Sequence, residues 1–299
     1  MFFFKQNLTP VVSLCRVYIG SMKMISINTN YGGLYSAKAA QQSQSSVDQA
    51  MERLSTGKRI NYAKDDAAGQ AIATRLTAEI QGLSMASRNA ADGQSMLDTA
   101  DGALQETHNL LLRMRELAVQ SANGTLQTSD RTALGAEFDA LEAEVTRISD
   151  NTSWAGTKLL DSSLSNGVSF HVGSGASQTI THSIPEMAAS AATMGIVAAV
   201  AITDVTKANS AIGQLDVAIA GVSKQRAEIG AVSNRLDATV SNLNQVKVNL
   251  SSSKGRIEDA DFAQETSNLA KNQILQQAAT AMLAQANSSQ STVLTLLRG

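Results

Sequence analysis

Proline occurs twice in 299 residues, at Pro10 and Pro185. A chain with so little of the residue that removes a helical donor and clashes with the preceding turn has almost nothing to interrupt its helices. Cysteine is reduced to Cys15, which excludes an internal disulfide, dithiol redox chemistry and a thiolate metal site. The three histidines, His108, His171 and His182, are too few for a histidine cluster. In the register of the hairpin between Trp154 and Pro185, His171 and His182 also fall on opposite faces. Aromatic residues make up 4% of the chain, with one Trp, too few large side chains to fill the two globular cores that the length alone would allow. Positive charge is not in excess: the formal net charge is -2, against nucleic-acid or anionic-membrane partners, which require clustered Lys and Arg. No apolar run reaches the roughly 20 residues of a membrane span. No nucleophile and base, or set of metal ligands, stands at a working spacing, so no catalytic residue, cofactor or metal is expected.

What the chain does have is aliphatic periodicity. From Ile212 to Leu250, steps of three and four residues in alternation give Ile212, Leu215, Ile219, Val222, Arg226, Ile229, Ser233, Leu236, Val240, Leu243, Lys247 and Leu250. Such a repeat averages 3.5 residues per turn and keeps one stripe of a helix facing a partner along its length. The partner expected for this seam lies far upstream, where Ala86, Ala90, Gly93, Leu97, Ala100, Leu104, Thr107, Leu111, Met114 and Ala118 alternate in the same way. Pairing the two brings the chain ends together and leaves the middle at one tip. The expected fold class is mainly α, a long antiparallel coiled-coil or helical-bundle rod with a small β-hairpin region at the tip.

In order along the chain, Met1 to Lys23 is aromatic and basic, unlike the remainder of the sequence. It reads as a signal peptide with a broken apolar run, or as an upstream extension before a true start at Met24, and the second is favoured. A modest amphipathic helix begins at Val47 and stops at Thr56-Gly57, where glycine takes the left-handed conformation. Asp65 and Asp66 are sequence neighbours that cannot face each other for acid–base work, and Asp66 is placed to cap the next helix. That helix runs from Ala67 to about Ala122. Asp130 is expected to cap a third, carrying Leu134, Phe138, Leu141, Val145 and Ile148 and ending near Asp150-Asn151. Asn151-Thr152-Ser153 matches a glycosylation sequon, a tripeptide that chance supplies often.

Between Trp154 and Pro185 the period becomes alternating. Val168, Phe170 and Val172 share one face, Ile180, His182 and Ile184 another, and Gly173-Ser174-Gly175 turns the chain, which reads as a β-hairpin. Met187 to Ile202 is alanine-rich, too short for a span, and reads as a small buried helix or tip segment. Ser251 to Arg256 breaks the seam. Asp261 to Arg298 is helical in composition, but its apolar residues are small and scattered, so it is marginal in isolation. The region around Val47 is similarly weak. Two such ends on a stable middle are expected to order when copies pack together.

The residues at both ends resemble bacterial flagellin. The strings are Ile27-Asn28-Thr29-Asn30, Glu52-Arg53-Leu54-Ser55-Thr56-Gly57, Ala63-Lys64-Asp65-Asp66-Ala67-Ala68-Gly69 and Arg113 to Asn123 (RMRELAVQSAN). Near the other end they are Arg256 to Phe262 (RIEDADF) and Ile274-Leu275-Gln276-Gln277-Ala278. The resemblance implies a secreted, extracellular structural subunit that polymerises into the flagellar filament for swimming motility and is not an enzyme. Its terminal helices would form the inner tube and its rod the next shell. It implies copies of itself as partners, together with a flagellar export chaperone, cap and junction proteins, and an innate Toll-like receptor of a host. Candidate receptor contacts are Arg113, Leu117 and, on the neighbouring helix, Glu137; the alternative is that these three only pack rod against rod. The chain departs from the family in its leader, in Trp154, where related sequences usually carry Phe, and in a tip of only about Asp161 to Ile202. It therefore reads as a short form with little or no outer variable domain.

The expected domains are 1–23, a non-native extension; 24–62, the N-terminal filament-core helix; 63–160, the first half of the rod; 161–202, the hairpin tip; 203–255, the returning half of the rod; and 256–299, the C-terminal filament-core helix. The alternative function is a hook-filament junction protein of the same architecture. A chemoreceptor signalling rod would need a membrane span that is not there.

Overall fold

The structure is a computed structural model and describes residues 29–188 and 201–298. The leader with Cys15, the Met24 start, Ile27-Asn28 and most of the alanine-rich stretch after Met187 lie outside them. The chain is mainly α and forms two compact units: one from residue 62 to 259, the other from the two chain ends, up to Asn61 and from Ala260.

The central unit is built on two long helices. Helix α2, Ala67–Ser121, has 55 residues, on the order of 80 Å at 1.5 Å per residue. The Asp66 side chain caps its start by accepting from the Gly69 amide at 2.8 Å. Helix α4, Val205–Glu258, has 54 residues. Gln94 donates to Asp237, Arg226 to Asp101 and Arg115 to Asp216. Going from Arg115 back to Gln94 covers 21 residues while Asp216 to Asp237 covers 21 in the other direction, so the helices are antiparallel and keep step over three heptads.

The side chains between them make one core. Leu97, Leu104, Leu111 and Met114 of α2 are fully buried against Leu215, Val222, Ile229 and Leu236 of α4. Each contributes roughly 1.5–3 kcal/mol of transfer free energy relative to exposure. Helix α3, Thr128–Asn151, adds Phe138 and Val145 to this core. Its cap differs from expectation. Gln127 holds the cap position, and Asp130, three residues on, reaches back to the Gln127 amide at 3.1 Å, closing a capping box.

Two small antiparallel hairpins come next along the chain. Strands β1, Ser153–Trp154, and β2, Thr157–Lys158, are joined by Ala155 and Gly156, both at positive φ, the backbone of a tight two-residue hairpin turn. Strands β3, Val168–His171, and β4, Thr179–His182, pair Val168 with His182 and Phe170 with Ile180. Residues directly opposite one another share a face, so the two apolar sets expected on separate faces lie together on the inner one, and His171 lies on the outer. Phe170 seats over Gly93 of α2, where an added Cβ would meet the ring at 2.7 Å. Only glycine permits that approach.

The terminal unit is a pair of helices, α1, Tyr31–Thr56, and α5, Phe262–Arg298. Asn30 donates to Asn287 at 3.1 Å, Gln276 donates to Gln44, and Arg53 lies 3.7 Å from Glu265. Those pairs make α1 and α5 antiparallel. Gly57 ends α1 at φ 69°, and its carbonyl accepts from the Ala260 amide at 3.0 Å.

Candidate self-assembly surface

In the terminal unit the seam is thin, and large apolar side chains also stand on the outer faces. On α1 the residues turned toward α5 are Gly33, Ser36, Ala40, Ser43, Val47, Ala50 and Leu54, again three and four apart. On α5 the inward positions run Glu265, Leu269, Asn272, Gln276, Ala279, Leu283, Ala286, Gln290 and Val293, with the same alternation. Most of these side chains are small or polar. Val47, Leu54, Leu269 and Leu283 bring large apolar side chains into the seam, while Tyr31, Leu34, Tyr35 and Met51 on α1 and Phe262, Ile274, Leu275 and Met282 on α5 point outward. Tyr35 is 79% and Ile274 66% exposed. Exposed apolar residues grouped as Tyr31, Leu34 and Tyr35 are on α1, and Ile274 and Leu275 on α5, are a feature of interaction surfaces.

Reading hydrophobicity from the sequence misses the α1–α5 seam because the seam carries little of it. It places the start of α1 at Val47, whereas the helix begins 16 residues earlier, at Tyr31, behind an Asn30 cap that accepts from Gly33 at 2.8 Å. The signal that finds it is the regular return of small residues, Gly33, Ser36, Ala40 and Ser43, with no large residue among them.

The seam residues of the central unit divide. On α2, Leu97, Leu104 and Leu111 are buried, and so are the other seven members of the upstream stripe. On α4, Leu215, Val222, Ile229, Leu236 and Leu243 are buried and Leu250 is partly so, packed with Leu83, Ala86 and Leu243. The intervening members, Ile212, Ile219 and Val240, are only half-buried. Beside Ile212, Ile219 and Arg226 the deeper positions are one residue earlier, at Ala211, Ala218 and Gln225. There the stripe is centred on Ala211 and Ala218, with Ile212 and Ile219 at its margin, where they still touch the core.

Of the candidate receptor contacts, Leu117 is 1% exposed and belongs to the core. Arg113 and Glu137 are at the surface. The Arg113 guanidinium donates to Glu137 at 2.8 and 3.1 Å and to Glu116 at 3.0 Å, and these hydrogen bonds, the one to Glu137 foremost, hold it charged more firmly than usual. Arg115 is held in the same sense by its hydrogen bond to Asp216. Among the described residues, no group of three His, Cys, Asp or Glu side chains is placed to hold a metal ion, and no helix is long and apolar enough to cross a membrane.

A helical chain whose two ends meet in one thin pair that carries exposed apolar side chains, and whose other unit is well packed, has the form of a self-assembling structural protein. Its sequence relatives say which. Residues 27–165 match the family model "bacterial flagellin N-terminal helical region" and residues 212–297 "bacterial flagellin C-terminal helical region". Flagellin of Halalkalibacterium halodurans is 46% identical over 249 residues, 83% of this chain and 91% of that protein. The flagellar filament 33 kDa core protein of Treponema phagedenis is 40% identical over 284 residues, 91% of this chain and 99% of that protein. A solved structure of a putative flagellar hook-associated protein from Vibrio parahaemolyticus superposes with a TM-score of 0.56 at 16% identity, covering 65% of this chain and 100% of that one, a likeness of fold alone. The chain belongs to the bacterial flagellin family, the structural subunits of the flagellar filament.

Proposed function

We propose that the outward apolar residues of the α1–α5 pair are the surface through which copies of this chain polymerise, and that the resulting filament is extracellular and serves swimming. The observation that carries this reading is the number of large apolar side chains the terminal unit leaves exposed. Tyr31, Leu34, Tyr35, Ile274 and Met282 are held out on helices whose mutual seam, though it includes Val47, Leu54, Leu269 and Leu283, is otherwise mostly small or polar, so that in this reading burial of apolar surface is completed between molecules. The central unit, with its own core, does not need that contact to fold. The family's export chaperone, cap and junction proteins and a host's innate receptor are partners by resemblance. For the receptor, Arg113 and Glu137 are the accessible pair. A hook-filament junction role has only the fold likeness behind it, whereas the sequence relatives are flagellins.

The test removes residues 262–299. The shortened chain is expected to keep the cooperative unfolding of the central unit and to lose elongation on filament seeds. A shortened chain that still elongates would refute the assignment of assembly to the α1–α5 pair.

A further inference from the structure

One buried titratable side chain sits between the β3–β4 hairpin and α4. His182, 9% exposed, shares the inner face of the hairpin with Val168, Phe170 and Ile180. Its Nε2 lies 3.3 Å from the side-chain nitrogen of Gln225. Gln225, 4% exposed, occupies a stripe position of α4 between Val222 and Ile229, where its neighbours are apolar.

A third group fixes the protonation state. The same Gln225 nitrogen donates to the Ser183 carbonyl oxygen at 3.4 Å, and a carbonyl can only accept. The amide therefore presents N–H groups to both neighbours, and the imidazole nitrogen it meets must offer a lone pair. That describes a neutral His182 with its proton on Nδ1. Protonating the ring sets donor against donor. Turning the Gln225 amide over repairs that contact but sets its oxygen against the Ser183 oxygen. No orientation of the amide serves a charged His182 and the Ser183 carbonyl together.

We propose that the His182–Gln225 contact is an acid-sensitive latch, which holds the β3–β4 hairpin onto α4 when His182 is neutral and releases it when the ring takes a proton. The surrounding charges set its working range. Burial lowers the His182 pKa and is the larger influence, while the Glu228 carboxylate on α4 pulls it upward. Glu228 is itself 3.8 Å from Lys224, and Arg226 is turned to Asp101. From β3 the residue opposite is the uncharged Val168, and from α2 Asp92 lies in the groove beside Phe170 and His171. A histidine whose pKa is lower in the folded state than in the unfolded one leaves stability intact above its ordinary value. Stability is then lost as pH falls toward the lowered one. A two-stranded hairpin separated from its helix is marginal, so release exposes its backbone amides to exchange.

The experiment uses the full-length chain, unpolymerised, between pH 7.5 and pH 5. The ring signals of His108, His171 and His182 are titrated by NMR, and hydrogen exchange is followed at the β3–β4 amides with those of α2 as reference. His182 is expected to titrate below the ordinary imidazole range, with hairpin protection falling at least tenfold relative to α2. The fall disappears in His182→Leu and persists in His171→Gln. A His182 that titrates at or above the ordinary imidazole range, or hairpin protection that falls equally in His182→Leu, overturns the proposal. If His182→Leu leaves the hairpin open at pH 7.5, the wild-type titration and its exchange profile decide alone.

Discussion

Replacing Leu34 and Ile274 together by serine separates the two uses of apolar surface in this molecule. Leu34 is 62% and Ile274 66% exposed, and neither belongs to the seam between α1 and α5. Exposed positions without special contacts change folding stability by no more than about 0.5 kcal/mol each, so the monomer is expected to keep its helicity and its unfolding midpoint. The proposed interface covers the same side chains in the polymer. Full burial of a Leu or Ile contributes roughly 1.5–3 kcal/mol; with about two thirds of each still exposed in the monomer, the pair removes roughly 2–4 kcal/mol from each subunit addition. At about 1.4 kcal/mol per factor of ten, the critical concentration rises about 30- to 700-fold. Seeded growth followed by sedimentation, with circular dichroism of the soluble fraction, reads both quantities on one sample. A double variant that elongates at the parental critical concentration refutes the placement of these residues in the interface. One that loses helicity as a monomer shows instead that they stabilise the α1–α5 pair itself.

Two further outcomes concern the central unit. Leu104→Ala, at a fully buried position facing α4, is expected to lower unfolding free energy by about 2–5 kcal/mol. Leu112→Ala, two turns along the same helix and 42% exposed, should change it by no more than about 0.5 kcal/mol; denaturant titration showing equal costs would contradict the assigned stripe. Arg113→Asp breaks the exposed ion pairs to Glu137 and Glu116, and since solvent screens such pairs the unfolding midpoint is expected to change little. In a reporter-cell assay it is expected to cut signalling through the innate receptor at least tenfold, and parental signalling would remove Arg113 from that surface.

The long helices are legible because the sequence states their limits chemically. Asp66 caps α2 and Gly57 ends α1 in the left-handed conformation, both readable as residue types in context. The upstream stripe, Ala86 to Ala118, is readable because leucines and methionine mark it. On α4 hydropathy points to Ile212 and Ile219, although the deepest positions are Ala211 and Ala218. Close approach of α2 favours the smaller side chain at the centre and pushes the branched one to the edge. Ser251 to Arg256 reads as a break, yet α4 continues through Gly255 to Glu258, since serine and glycine weaken a helix without stopping one already anchored by packing. The β1–β2 hairpin leaves no signal because its turn is Ala155-Gly156 and its strands are two residues long. The burial of Leu117 in the core is not legible in the resemblance, which matches its identity and says nothing of its packing.

The seam between α1 and α5 alternates large side chains with thin stretches. Val47, Leu54, Leu269 and Leu283 supply much of its bulk, while Gly33, Ser36, Ala279 and Ala286 leave little to interlock between them. Alignment rests also on a handful of polar fasteners, Asn30 with Asn287, Gln44 with Gln276, and Arg53 with Glu265. The register of such a pair is marked by amide and ion-pair contacts along its length as much as by hydrocarbon bulk.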